Sequence, residues 1–473
     1  MSEKSYNIFE LEPLFEFLNG ELKPKEGAKK ERGEVFTPFS IVNDMLDRLD
    51  ESYKKIHNKS IFTEKHLKWF DPAAGIGNFP VIIYQRLMQG LDNDFPDNET
   101  RRRHILQNMI YSSELSPQNI TTYKSIFCSE HYKLNLYQGD SLVMDVKDAF
   151  RLSEDFNGFD IVIGNPPYNE DGTKHLGNKN IYVYFSKKAF ELWLKKSGFL
   201  AYIHPPTYRI PNHKIQHTKT NLNEIYTGKN ILCIKMYSIP ETLKLMYVMI
   251  NVDFIILQND DWCNGITHII DIDKNEYKIS VKPNDFIPNY GLDIMEKIRI
   301  KSQLGTNELI LDSQLHAQKT RGTTYKNVHG ITRKGIKICM SDEPYKHLEK
   351  RKLIINGIGS YNYVFYDEAG EYGITQSPMT ILEPSENTLR FIQSPLFHFI
   401  TNATKIIGNN LNKKTSLFLP IIPTDTIITT NDELYDYFEF TPKEVDMIKC
   451  FKIPEYISIF LSKTGKNSLD EMI

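Results

Sequence analysis

What this chain has little of narrows its chemistry first. Its 473 residues include five cysteines, at 128, 233, 263, 339 and 450, with no Cys-x-x-Cys pair and no Cys/His spacing of a zinc site. That excludes a disulfide framework or a zinc module and points to reduced thiols in a cytosolic protein, with no metal ligand set expected. The longest apolar run, 246–257, is broken by Asn251 and Asp253 and is too short to span a bilayer. The start is polar and charged, without a signal-peptide core. Membrane and secreted readings fall away. Neither charge sign dominates: 57 Lys and Arg stand against 60 Asp and Glu, for a net charge of −3. This excludes wholesale coating of nucleic acid while leaving room for a local basic surface. There is no Gly-x-Gly-x-x-Gly run and no Walker lysine, so the glycine turns present are not expected to grip phosphate. No internal repeat or low-complexity tract is visible.

What is there reads as two domains, since the chain is too long for one core. An amphipathic, lysine-rich lead occupies residues 1–32, and a first domain runs to 285. Within it, strands alternate with helices and end on acids or glycines. A strand 67–70 leads into Asp71, one at 110–113 into Glu114, one at 134–137 into Gly139-Asp140, and one from Phe159 into Gly164-Asn165-Pro166-Pro167-Tyr168. A fifth, 199–203, ends at His204-Pro205-Pro206, after a helix expected to bury Phe185, Ala189, Leu192 and Trp193. This alternation predicts an α/β fold, a doubly wound parallel sheet. Asn78 is placed to cap the helix after Gly75-Ile76-Gly77, and Arg101-Arg102-Arg103 reads as a solvated helix start. Prolines and asparagines in 281–289 suggest a linker into a second domain, 286–473, of mixed α+β structure. That domain is expected to be β-rich until a late helix opened by the capping box Thr441-Pro442-Lys443-Glu444.

The Asn165-Pro166-Pro167-Tyr168 turn carries the most information. Two prolines cannot continue a buried strand, so Asn165 and Tyr168 are presented past its carboxyl end, where open α/β sheets bind ligands. An amide and bare carbonyls form an acceptor array, and a tyrosine adds a flat face. The set suits a planar base with an exocyclic amino group.

Taken in order, Gly33-Glu34-Val35-Phe36-Thr37-Pro38, Asp71-Pro72-Ala73-Ala74-Gly75-Ile76-Gly77-Asn78-Phe79, Glu114, Gly139-Asp140 and Asn165-Pro166-Pro167-Tyr168 resemble the S-adenosylmethionine-dependent DNA adenine-N6 methyltransferases. The arrangement is similar to their gamma class, found in restriction-modification systems or as orphan enzymes. The resemblance is specific over roughly residues 30–210. It implies a Rossmann-like methyltransferase domain followed by a target-recognition domain, with S-adenosyl-L-methionine as cofactor. Phe36, Thr37 and Pro38 would wrap the methionine part; Asp71, Ala73 and Gly75 would line it; Glu114 would take the ribose, and Asp140 with Ser141 the adenine. Asn165 would also border the cofactor. Asn78 departs from the small residue more often found there.

An adenine amino nitrogen is a poor nucleophile because its lone pair is delocalised into the ring. Acceptors on its hydrogens, from the Asn165 side chain and the Pro166 carbonyl, favour a tetrahedral nitrogen and stabilise developing positive charge. Tyr168 would stack on the base after it leaves the duplex, with Tyr237, Tyr247 or Phe254 candidates for its other face. In the second domain, residues 319–352 hold ten Lys and Arg against three acids. Lys319, Arg321, Lys326, Arg333 and Lys334 are expected to bind DNA phosphates. Double-stranded DNA is the expected partner, with a separately encoded restriction endonuclease allowed by the resemblance. The expected setting is cytoplasmic, either nucleoid-associated or viral or phage-encoded. The competing reading is an RNA or protein-glutamine N-methyltransferase, which uses the same Asn-Pro-Pro-Tyr solution.

Overall fold

The computed structural model describes residues 6–21, 37–168, 180–211, 220–303 and 322–451, apart from 358, 360–361, 376, 408–410, 412 and 424. Phe36, Lys319 and Arg321 lie outside the described residues. The chain divides into two compact units, Met1–Phe286 and Ile287–Ile473.

The first unit is built on one nine-stranded sheet: β1 (Trp69–Asp71), β2 (Ile110–Glu114), β3 (Asn135–Gln138), β4 (Phe159–Gly164), β5 (Leu194–His204), β6 (Lys229–Tyr237), β7 (Val252–Asp261), β8 (Thr267–Ile270) and β9 (Glu276–Ile279), in the order β3-β2-β1-β4-β5-β7-β6-β8-β9. The first five are mutually parallel, and β7 enters antiparallel between β5 and β6. The order in which strands are added reverses between β1 and β4, so the connections leaving their carboxyl ends run to opposite sides of the sheet, the switch point at which open α/β sheets bind ligands. Strands buried on both faces explain the apolar runs: Phe159, Ile161, Val162 and Ile163 are all fully buried.

The helix Phe39–His57 buries Ile41, Val42, Met45, Leu46 and Leu49, the stripe its sequence period predicts. Two local expectations are corrected. The helix before β5 ends as a wider turn, Ala189–Trp193, that leaves Leu192 largely exposed. Arg101 and Arg102 do open a helix, Asn98–His104, but they are not merely solvated. Arg101 is buried and donates to the Met88 carbonyl at 2.6 Å, while Arg102 reaches Tyr84 and Glu99. Strand β5 also begins five residues earlier than its apolar pattern, because Lys195 and Lys196 extend it with side chains paired to Asp160 and Asp260.

The second unit holds two three-stranded sheets, β11-β10-β14 and β13-β12-β15, from β10 (Tyr325–Thr332), β11 (Gly335–Ser341), β12 (Lys352–Asn356), β13 (Val364–Asp367), β14 (Gly373–Ile374) and β15 (Pro378–Leu382). Val328, Ile331, Ile354, Phe365, Tyr372 and Ile374 form one core shared by both sheets. Helices Leu292–Gln303, Glu386–Ile392, Pro395–Ala403 and Asn431–Tyr437 make the unit more helical than its sequence suggested. The capping box at Thr441 is present, with Glu444 accepting from the Thr441 amide at 2.6 Å.

Candidate active site

Strand ends β1, β2, β3 and β4 all meet one edge of the first unit's sheet, and each delivers a polar group there. Asp71 is buried at the end of β1 and its Oδ1 accepts from the Ala73 amide at 3.0 Å. Its Oδ2 is buried with no hydrogen-bond partner among the described residues. Burial pushes the carboxyl up to about 8; the Ala73 amide opposes that shift and the nearby Glu114 charge adds to it. A buried carboxylate left half-satisfied is costly, and an electropositive ligand at this edge would remove that cost.

Gly164 is held to glycine by the same carboxylate: a Cβ there would stand 2.6 Å from Asp71 Oδ1. This close approach locks the chain just before Asn165 against the end of β1. Gly75, with φ of 58°, and Gly77, with φ of 103°, form the turn that follows β1. The Gly77 amide bonds the Ala74 carbonyl at 2.9 Å, and the Ala74 amide reaches Ser113 on β2 at 3.0 Å. Ala73 sits in this turn.

Glu114 is oriented from both sides. Oε2 accepts from the Gly75 amide at 2.9 Å and Oε1 from the Ser116 amide at 2.7 Å. Asp140 is exposed, with Oδ1 accepting from the Leu142 amide at 2.9 Å. Ser141 is buried, and its hydroxyl stands 2.5 Å from the Pro72 carbonyl and 2.7 Å from Ser113 Oγ. It ties the turn after β3 to that after β1, which gives it a bracing task the sequence did not suggest. Leu115 and Val143, next to these acids, are 64% and 79% exposed. Both lie beside strand-end polar groups, Leu115 directly after Glu114 and Val143 three residues after Asp140.

Asn78 does not cap its helix. Gly77 takes the cap position, and Asn78 is the first helical residue, buried, with Nδ2 donating to the Thr37 carbonyl at 3.0 Å. Thr37 is buried too, and Pro38 caps the helix Phe39–His57. The Thr37-Pro38 element is thereby joined to the start of the helix Asn78–Gly90.

The turn after β4 carries Asn165, Pro166 and Tyr168 to this edge. Tyr168 is buried, its ring lies edge-on to Tyr182 at 6.4 Å, and its phenol is pushed upward by burial, with the Asn165 side chain opposing. Behind it stands a polar cluster that sequence reasoning left without a role. Tyr182 stacks on His204 at 5.1 Å, His204 Nε2 lies 2.9 Å from the Tyr226 hydroxyl, and Tyr182 bonds Thr207. Burial holds His204 neutral, lowering it to about 4. Farther in, Asp253 takes Tyr208 at 2.8 Å and the Arg209 guanidinium at 3.0 Å. The sequence's trace of this buttress was the His204-Pro205-Pro206 stop.

Of the three aromatics weighed for the base's second face, Phe254 is fully buried within β7 and Tyr237 is buried with its hydroxyl toward Asp44. Tyr247 is 37% exposed, in the segment leading into β7. Because Asp253 pairs with His204, that segment lies at the same sheet edge as Asn165.

In the second unit, Lys326, Arg333 and Lys334 are exposed on the β10–β11 hairpin, and Arg333-Lys334 is its two-residue tip. Lys352, counted among the basic excess, is corrected. It is fully buried on β12 and donates to Asp367 at 2.5 Å, so it is spent on the core.

Comparison with known proteins adds an independent line. The family model for Eco57I restriction-modification methylases matches residues 48–234. A protein of Mycoplasma pneumoniae described as an uncharacterized adenine-specific methylase is 24% identical, over 38% of this chain and 57% of that one. Among solved structures, a nuclease-deletion mutant of the Type ISP restriction-modification enzyme LlaGI in complex with a DNA substrate mimic aligns at a TM-score of 0.49 and 12% identity. It covers 88% of this chain and 47% of its own. The Type IIL restriction-modification enzyme MmeI in complex with DNA aligns at 0.48 and 12% identity, over 92% and 78%. The matches thus reach only about half the length of the methylase relative and of LlaGI. The match to the Eco57I restriction-modification methylase model falls on the segment 48–234, which contains every strand end described above.

Proposed function

We propose that this chain is a site-specific DNA adenine-N6 methyltransferase that uses S-adenosyl-L-methionine and acts on an adenine flipped out of duplex DNA. The observation that carries the reading is the packing of Gly164 on Asp71, which sets the Asn165-Pro166-Pro167-Tyr168 turn beside the ligand-hungry end of β1. The residues suit the cofactor. Glu114, fixed by the Gly75 and Ser116 amides, stands at the end of β2 where it would take ribose hydroxyls; Leu115 offers an apolar face, Asp140 an acceptor, and Asp71 a carboxylate oxygen with no partner among the described residues. Thr37, Pro38, Ala73 and Gly75 border the same turn, with Phe36 preceding them in sequence. Ser141 acts by bracing that turn.

When bound, the cofactor supplies a methyl group activated on a sulfonium sulfur. Asn165 and the Pro166 carbonyl accept from the adenine amino group, steering its lone pair away from the ring. Tyr168 stacks on the flipped base, and Tyr247 is the aromatic for its other face. The amino nitrogen gains the methyl and releases one proton to solvent, so no strong general base is required. The exposed tip Arg333-Lys334 and Lys326, with Lys319 and Arg321, contact DNA phosphates in a target-recognition unit, 286–473. A separately encoded restriction endonuclease is the partner this reading allows, in a cytoplasmic or phage setting. Among the described residues no helix is long and apolar enough to cross a membrane. The test is incubation with methyl-labelled cofactor and, in parallel, unmethylated DNA, RNA and protein. Label should enter DNA alone; label in RNA or in glutamine would replace the reading.

A further inference from the structure

The Asn78 side chain is buried at the first position of the helix that follows the glycine turn, and only one of its two polar atoms is accounted for. Nδ2 donates to the Thr37 carbonyl at 3.0 Å, while Oδ1 is buried with no hydrogen-bond partner among the described residues. At the other end of the same bond, the Thr37 hydroxyl is also buried and has no partner among the described residues. Asp71 Oδ2 is a third such atom, at the start of the same turn. Buried polar atoms are almost always satisfied, and those that are not call for an explanation. Three of them around one turn form a set: an amide oxygen and a carboxylate oxygen accept, and a hydroxyl donates. An α-amino acid group, with its ammonium and its carboxylate, is the complement of that set.

The helices behind this contact make it a fixed point. Arg86, two turns along the helix Asn78–Gly90, donates to the Asn43 carbonyl at 3.1 Å, to Asn43 Oδ1 at 2.7 Å and to Asp47 at 2.6 Å on the helix Phe39–His57. That grip aligns the two helices. Pro38 is tied to its own helix, its carbonyl accepting from the Ile41 and Val42 amides at 3.0 and 3.1 Å, and the bond from Asn78 joins Thr37, just ahead of it, to the turn that follows β1.

We infer that Asn78 is a positioning residue for the amino-acid end of the cofactor. It holds the Thr37-Pro38 segment against the turn that follows β1, so that the Thr37 hydroxyl and the Asn78 amide oxygen stand ready beside Asp71. The inference rests on the cofactor reading above and adds a residue to it.

The experiment separates the two ends of the ligand. Binding of S-adenosylhomocysteine, which carries the amino acid group, and of 5′-methylthioadenosine, which lacks it, is measured by calorimetry for the full chain and for Asn78→Ala. The expected result is about a tenfold loss of S-adenosylhomocysteine affinity, with 5′-methylthioadenosine changed less than twofold. In turnover, KM for the cofactor should rise with kcat nearly unchanged. Equal weakening of both ligands would mean that Asn78 merely supports the turn, and no weakening of either would mean that it positions nothing; both overturn the inference. If Asn78→Ala melts too early to titrate, Asn78→Ser, whose side chain is too short to reach the Thr37 carbonyl, is read the same way. Failure of the unaltered chain to bind either nucleoside would reject the cofactor reading itself, which is a different result from any of these.

Discussion

The two units of this chain solve different problems, and their strands show it. In the first, five parallel strands send their carboxyl ends to one edge, so Asp71, Glu114, Asp140 and Asn165 arrive together although they are far apart in sequence. In the second, antiparallel hairpins place successive residues on opposite faces and leave the basic residues at a tip. Parallel topology gathers chemistry at a point, whereas antiparallel topology spreads it along a ribbon. On the proposed function, the first unit would act on a single atom and the second would lie along DNA.

The comparison can be broken most forcefully at Asn165. Asn165→Ala should lower kcat by at least about 100-fold, while affinity for S-adenosylhomocysteine and for DNA stays within a few-fold. Single-turnover assays and filter binding read the three quantities. If DNA affinity fell in step with turnover, the division of labour between the units would be wrong.

A smaller effect belongs to the hairpin. Replacing Arg333 and Lys334 together by alanine should weaken DNA binding about tenfold and reduce the slope of log K against log salt by about two. At saturating DNA, kcat should hold. Lys352→Met, in the same basic stretch of sequence, should leave that slope untouched while lowering the melting temperature, because Asp367 would remain buried without its cation. A changed slope would return Lys352 to the DNA surface.

The smallest effect is a pH signature at Asp71. Folding raises this carboxyl to about 8, so the folded protein holds its proton more tightly than the unfolded chain does. The associated stability is full below about pH 4 and is lost as pH rises toward 8. Asp71→Asn has no proton to lose. Its melting temperature should therefore gain on the parent by a few degrees between pH 5 and pH 8 and run parallel above that. A constant offset across the range would show that the carboxyl is ionised in the folded state throughout.

Much of the first unit was legible because apolar runs closed by acids or glycines are what buried parallel strands look like. The order of those closures put Asp71, Glu114 and Asn165 at the carboxyl ends of neighbouring strands, and the sheet has them at one edge. What the sequence hid was every role that depends on a partner. Nothing in the sequence ties Ser141 to the turn after β1, where its hydroxyl meets the Pro72 carbonyl, and Asn78 reads as a cap until it is found on Thr37. Arg101 and Lys352 read as solvent charges until the Met88 carbonyl and Asp367 are seen to hold them. The second unit was less legible for a related reason. Short antiparallel strands with mixed burial carry a weak period, and helices such as Pro395–Ala403, buried nearly all round, do not show an amphipathic stripe.

The central claim is that this chain places a methyl group on the amino nitrogen of adenine within particular DNA sequences. Single-molecule mapping of modified bases in DNA from cells expressing the chain tests it directly. N6-methyladenine should recur at one defined sequence and be missing from cells expressing Asn165→Ala. Unmodified adenines throughout, or the same pattern from the Asn165 variant, would contradict it.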